Sequence, residues 1–374
     1  MRNLLIIFAL FVVSIPLCLA QSMNEALPVR GFAIEAPRHD GLDSFIRFIN
    51  NELAPSNVNL LILRVDWGYE YKTHPELSTE NALTRRDVRK LVRVCKKNKI
   101  RLVPHINLLG HQSVRERPSQ LLKNYPQFDE NPSFDLANII NWPLPQKNYS
   151  KSYCPLHPDV HKVVFDIVDE ICKVFKADIF HAGMDEVFFL GEDECPRCNG
   201  KDKAELFAGE VKAIHDHLAS KGRHMMMWGD RLLDGRTTGL GGWEASLIGT
   251  SQAIDMIPKD IIICDWHYEK SGKTAVYFAQ KGFQVTTCGY KNADVSIQQI
   301  EDMIRFQAQV LPTTAQNLQG YIQTIWNSPR YFLERYYGDE ENLADPDKKE
   351  IGVKSTRAVL KYFRESNKGN NRVR

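Results

Sequence analysis

Phe180-His181-Ala182-Gly183-Met184-Asp185-Glu186-Val187 sets two adjacent carboxylates directly behind a short apolar run. Residues 178–184 have the length and composition of a fully buried strand, so Asp185 and Glu186 fall at its C-terminal end. The same pattern repeats on both sides of it. Upstream, apolar runs at 31–36, 58–65 and 100–106 alternate with helical periodicity over 42–53, around Val88, Leu91, Val92 and Cys95, and from Val160 to Phe175. Downstream, Phe207, Val211, Ile214 and Leu218 mark a helix, and further runs lie at 225–228, 261–265, 283–287 and 321–325, with helical patterns at 272–281, 294–309 and 350–364. Eight strand–helix units with right-handed crossovers predict an α/β fold, a closed (β/α)8 TIM barrel forming a single catalytic domain. A doubly wound open sheet is the rival, but no glycine-rich phosphate loop follows the first strand.

The chain has 374 residues, with 48 Lys plus Arg against 46 Asp plus Glu. That balance offers no polyanion-binding surface and predicts no nucleic-acid partner. The many Lys and Arg residues around 85–97 read as the solvated face of an amphipathic helix. Residues 1–20 combine a short positive start, an apolar stretch from Leu4 to Leu17 and the small residues near Ala20. This is the pattern of a signal peptide, too short to span a membrane. Residues 1–20 are therefore expected to be removed, leaving 21–374 as the exported domain, periplasmic or secreted, with no membrane span.

Active sites of such barrels gather where the strands end. The residues predicted there include Asp66-Trp67, Asn107 through His111, Asp185-Glu186, Trp228-Gly229-Asp230, Asp265-Trp266-His267, Tyr290 and Trp326. Four of the six tryptophans lie in this one rim beside carboxylates. Aromatic walls stack on the apolar faces of pyranoses while acids bond hydroxyls and move protons, so the pattern points to a sugar site. The competing reading of Asp185-Glu186 is an acid pair at a helix N-terminus, favoured by the macrodipole. His105 and His181, mid-strand, read as hydrogen-bonded interior residues.

His181-Ala182-Gly183-Met184-Asp185-Glu186 resembles the His-x-Gly-x-Asp-Glu signature of family 20 glycoside hydrolases, the β-N-acetylhexosaminidases. Other segments follow in the family's order: Val29-Arg30-Gly31-Phe32 with Arg38-His39, Val65-Asp66-Trp67 through Leu77, and Pro104-His105-Ile106-Asn107 through Gly110-His111. The likeness covers about residues 29–365 and resembles the short, single-domain hexosaminidase D type, without the small α/β domain that often precedes the barrel. The resemblance implies a retaining exo-enzyme with no obligatory cofactor and no catalytic metal, acting on glycans with a terminal β-linked 2-acetamido sugar, GlcNAc or GalNAc. Glu186 would be the general acid and then the base. Asp185 would hold the acetamido N–H while the substrate's own acetamido oxygen attacks C1 to form an oxazoline. Trp228, Trp266 and Trp326 would wall the acetamido pocket, and Tyr290 would bond the acetamide oxygen. Arg30 would grip ring hydroxyls, and Asp66 with His111 would form a polar pair behind Glu186.

Two departures concern the sugar's far side. Where many members carry Tyr-x-Asp and Trp-x-Glu, this chain has Tyr290-Lys291-Asn292 and Trp326-Asn327-Ser328. Asn292 is still expected to meet the substrate, with altered reading of O4 and O6. A carbohydrate-binding barrel with weak or lost turnover is the alternative function. Cys195-Pro196-Arg197-Cys198 is expected to close a local disulfide, given export. The other reading is half a zinc site completed by Cys154 and His157. Asn148-Tyr149-Ser150 is a glycosylation sequon.

Overall fold

The computed structural model describes residues 23–114, 117–134, 150–338 and 351–369. The expected signal peptide and the first two residues of the sequon lie outside these residues. Eight parallel strands close into a barrel in sequence order: β1 Val29–Glu35, β2 Leu60–Arg64, β3 Arg101–Leu108, β4 Ile179–Gly183, β5 His224–Trp228, β6 Ile262–Trp266, β7 Gln284–Gly289 and β8 Leu318–Thr324, with β8 pairing back onto β1. The predicted (β/α)8 barrel is the fold observed. Its strands are short and apolar because both faces are covered, by barrel interior on one side and helices on the other.

The interior is filled by alternate residues such as Ala33, Ile62, Val103, Met226, Cys264 and Ile322. His105 and His181 face each other across paired strands there, their rings 4.4 Å apart. A larger apolar layer joins the strands to the surrounding helices. The basic helix Arg85–Lys97 illustrates that layer. Thr84 and Asp87 form a reciprocal capping box at its start, and Val88, Leu91 and Cys95 are buried while Arg85, Arg86, Arg89 and Arg93 face solvent. Each such apolar side chain contributes about 1.5–3 kcal/mol by leaving water, so the helix is held by its face rather than its charges.

One expected unit differs. After β5 the chain forms the short 3-10 turn Asp230–Leu232, a long loop and the 3-10 segment Thr250–Asp255 in place of an α-helix. Gly235, Gly239, Gly241, Gly242 and Gly249 crowd that loop, and glycine costs about 1 kcal/mol per residue in a helix interior. Among the described residues, no helix is long and apolar enough to cross a membrane.

Candidate active site

The chain bends sharply where β4 ends. Gly183, Met184 and Glu186 all have positive φ, at 69°, 72° and 50°. Asp66, Leu109 and His111, after β2 and β3, do too, so five of the nine non-glycine residues with positive φ among those described lie on this rim. Left-handed backbone costs a side-chain-bearing residue about 1–2 kcal/mol, and such strain is concentrated where geometry serves chemistry. Gly183 has no latitude for a side chain, because a Cβ would lie 3.0 Å from Asn107 Cα. At Gly110 a Cβ would lie 2.5 Å from the Asp185 carbonyl oxygen. Glycine at 110 thus lets the β3 loop press against the acid pair, and His111 follows immediately.

His111 joins the two acids. Its Nε2 is 3.1 Å from Asp185 Oδ2 and 3.0 Å from Glu186 Oε2. Burial works against charge on both His111 and Asp185, but their mutual attraction outweighs it. The imidazole is held well above its ordinary pKa, and the Asp185 carboxyl below its own. Both acids are buried, at 7% and 4% exposure. Asp185 Oδ1 has no hydrogen-bond partner among the described residues. A buried carboxylate oxygen left in that state is costly unless a ligand donates to it. The same three side chains bring a nitrogen and two carboxylates within 4.8 Å, a possible metal grouping, but the nitrogen already bonds both acids.

Glu186 is fixed from two further directions. Its backbone N–H donates to Asp230 Oδ2 at 2.9 Å, and the Trp243 indole donates to its Oε1 at 2.6 Å. Asp230 also accepts from Arg231 Nε at 2.6 Å and from Trp266 Nε1 at 3.3 Å. Arg231 in turn donates to the Trp243 carbonyl at 2.8 Å. Burial raises the Asp230 carboxyl to about 6, against the pull of Arg231 and with the push of Asp185. Beside Trp243, Glu244 bonds His267 Nδ1 at 2.7 Å, and Asp265 lies 3.1 Å from His267 Nε2. These contacts fasten the glycine-rich loop to the ends of β5 and β6.

The result is a cavity of about 340 Å³ lined by Asp185, Glu186 and His111 together with the rings of Trp243, Trp266, Tyr268, Tyr290 and Trp326. Trp326 Nε1 donates to Tyr268 Oη at 2.8 Å, and the Tyr268 ring lies 5.0 Å from Trp266 and 5.4 Å from Tyr290. The aromatic rings therefore support one another. The Tyr290 hydroxyl donates to Asn327 Oδ1 at 3.3 Å.

Several expectations need correction. Arg30 sits near the N-terminal end of β1, where its guanidinium donates to the carbonyls of Asn57 at 2.9 Å and Leu27 at 2.6 Å. The arginine at the cavity is Arg64, paired with Glu35 and Asp66 and 5.6 Å from the Trp326 ring. Trp228 is fully buried beneath the cavity, 4.5 Å from His181, rather than in its wall. Asp66 accepts from the backbone and side chain of Asn107, at 2.8 and 3.1 Å, while His111 faces the acids directly. Asn292 caps the helix Ala293–Gln309 by accepting from Asp294 and Val295, and Ser328 caps Pro329–Tyr336. Both positions are spent on helix starts, and neither residue lines the cavity. Trp243 and Tyr268 were not foreseen. Trp243 has no strand or helix periodicity to mark it, although a tryptophan in a glycine-rich loop behind a strand end is a usable signal. Finally, all seven described cysteines are free, so Cys195 and Cys198 form no local disulfide.

Comparison with known proteins agrees with this fold. Residues 30–329 match the glycosyl hydrolase family 20, catalytic domain. A β-hexosaminidase of Porphyromonas gingivalis is 26% identical over 236 residues, covering 57% of this chain and 29% of that protein. Bovine hexosaminidase D is 23% identical over 294 residues, covering 73% and 77%. The chain spans less than half the length of the first three curated relatives it matches, at 40%, 29% and 44%. Among solved structures, the Flavobacterium johnsoniae chitobiase superposes with a TM-score of 0.60 at 18% identity, over 91% of this chain and 52% of that one. The match covers most of the barrel and both carboxylates of the rim. The chain belongs to glycosyl hydrolase family 20.

Proposed function

We propose that this protein is an exported, retaining exo-β-N-acetylhexosaminidase that removes terminal β-linked GlcNAc or GalNAc by substrate-assisted catalysis. The observation that carries the reading is the asymmetry of Asp185. One carboxylate oxygen is held by His111, and the other is buried and unpartnered among the described residues. An acetamido N–H is the kind of donor that oxygen lacks. The cavity volume of about 340 Å³ lies at the small end of the roughly 300–1,000 Å³ usual for ligand sites, which suits a single terminal sugar. Curated relatives named β-hexosaminidase support the same substrate class.

In the first step the acetamido oxygen bonds to C1 as the C1–leaving-group bond breaks, and protonated Glu186 gives its proton to the departing oxygen. The oxazolinium ring carries positive charge beside ionised Asp185, which accepts its N–H. In the second step water bonds to C1 while Glu186 takes its proton, the oxazoline opens, and configuration is retained. One glycoside and one water give one free sugar and one alcohol.

Replacing Glu186 with Gln tests the assignment and separates hydrolysis from mere binding. We expect turnover of aryl 2-acetamido-2-deoxy-β-glycosides to fall by about 10²–10⁴-fold, with the largest losses on poor leaving groups and little change in substrate affinity. A wild-type protein that binds these glycosides without turning them over would favour the binding-barrel alternative.

A further inference from the structure

Glu130, Cys154, Cys195 and Cys198 lie apart from the sugar cavity and are all buried. Each offers one ligand atom, and the four atoms lie within 4.8 Å of one another. Cys154 Sγ is 3.5 Å from Cys198 Sγ and 3.5 Å from Cys195 Sγ. A disulfide requires sulfurs about 2.0 Å apart. A tetrahedral zinc ion with Zn–S bonds of about 2.3 Å places its sulfurs roughly 3.8 Å apart, close to the spacing found. His157, the fourth ligand considered from sequence, is turned away: its Nδ1 accepts from the backbone of Asp159 at 3.2 Å.

Glu130 takes the remaining vertex. Its Oε1 accepts from the backbone of Gly191 at 2.8 Å, and the carboxylate otherwise faces the Cys195 and Cys198 thiols. A carboxylate oriented by a backbone amide and turned toward thiols is aimed as supporting hydrogen bonds aim a metal ligand. The Cys195–Cys198 turn contributes as well. The backbone amides of Arg197 and Cys198 reach the Cys195 sulfur, and that of Leu156 reaches Cys154. Such amides offset the excess negative charge of three thiolates and one carboxylate around a divalent ion.

We propose that these four residues form a structural zinc site that staples the loop after β3 to the loop after β4. Four protein ligands leave no open position for a water nucleophile, so the ion would hold structure and take no part in hydrolysis. Binding exchanges three thiol protons for the ion and releases them to solvent. The two joined segments are those that present His111 and the Asp185–Glu186 pair. Ser150 Oγ, four residues before Cys154, is 3.5 Å from the Glu186 carbonyl oxygen. The site also accounts for three cysteines gathered around one buried carboxylate, and it stands whether or not the chain hydrolyses sugars.

The test is metal analysis of the full chain isolated without added reductant or chelator, with parallel reconstitution by zinc and by Co(II). We expect one zinc per chain, and a cobalt form showing intense tetrahedral d–d bands with thiolate-to-metal charge transfer. Both should vanish in Cys154→Ser and Cys198→Ser and persist in Cys95→Ala. Stripping the metal should lower the thermal midpoint by about 5 °C or more. Zinc no higher than in Cys154→Ser would overturn the proposal, as would a mapped disulfide between any two of the three cysteines. Should the serine variants fail to fold, the wild-type metal content and disulfide map decide the matter alone.

Discussion

One imidazole serves two acids at this site, since His111 Nε2 lies 3.1 Å from Asp185 and 3.0 Å from Glu186. The acids differ in what else holds them: Trp243 and Asp230 grip Glu186, whereas one oxygen of Asp185 has no hydrogen-bond partner among the described residues. Asp185→Asn places an amide that can turn an N–H toward the substrate's own N–H. It should lower kcat/KM on acetamido aryl glycosides by about 10²-fold or more, even with good leaving groups. Steady-state kinetics with p-nitrophenyl substrates checks this, and a variant within a few-fold of wild type would remove Asp185 from the reaction. The acids, His111, Trp266, Tyr290 and Trp326 were legible in the sequence because a short barrel strand must end where its apolar run ends. Arg30 was not. Its motif placed it in the right strand, but its position near the strand's N-terminal end puts its guanidinium at the far end of the barrel. Asn292 and Ser328 were misjudged for a related reason: Asn and Ser are strong helix N-caps, and here capping claims both.

The strands could be read at the scale of elements because parallel barrel strands are buried on both faces and appear as continuous apolar runs. The loop after β5 could not, since it obeys no period. Its shape comes from glycines and from the Asp230–Arg231 and Glu244–His267 contacts, which are distant in sequence from the catalytic strand. The β3 loop makes a sharper prediction. Gly110→Ala would drive a Cβ to 2.5 Å from the Asp185 carbonyl and displace either His111 or the acid pair. Activity should fall by about 10²-fold while the far-ultraviolet circular dichroism stays that of the barrel. Full activity would show that the close approach is not needed. With Asn292 and Ser328 committed to helix caps, outer hydroxyls are left to groups such as Arg64 and Glu269 on the cavity wall. Relaxed discrimination at O4 is therefore expected, with p-nitrophenyl GlcNAc and GalNAc glycosides hydrolysed at comparable rates. A strong gluco preference would count against it.

Stability of the whole molecule should depend on pH through His267. Burial disfavours its charge, but Asp265 and Glu244 prevail and raise it to about 10. A histidine raised on folding stabilises fully below its unfolded value near 6.5, and that contribution is lost as pH rises toward 10. The thermal midpoint should thus decline between pH 7 and 10 by calorimetry, and less steeply in His267→Gln; parallel slopes would remove His267 as the cause. The proposed mechanism depends above all on the substrate supplying its own nucleophile. That is tested most directly by assaying paired aryl β-glycosides, with and without the 2-acetamido group, in the presence and absence of a thiazoline that mimics the oxazoline. Hydrolysis confined to the acetamido sugars and abolished by the thiazoline is the predicted result. Comparable hydrolysis of sugars lacking the acetamido group, untouched by the thiazoline, would contradict it.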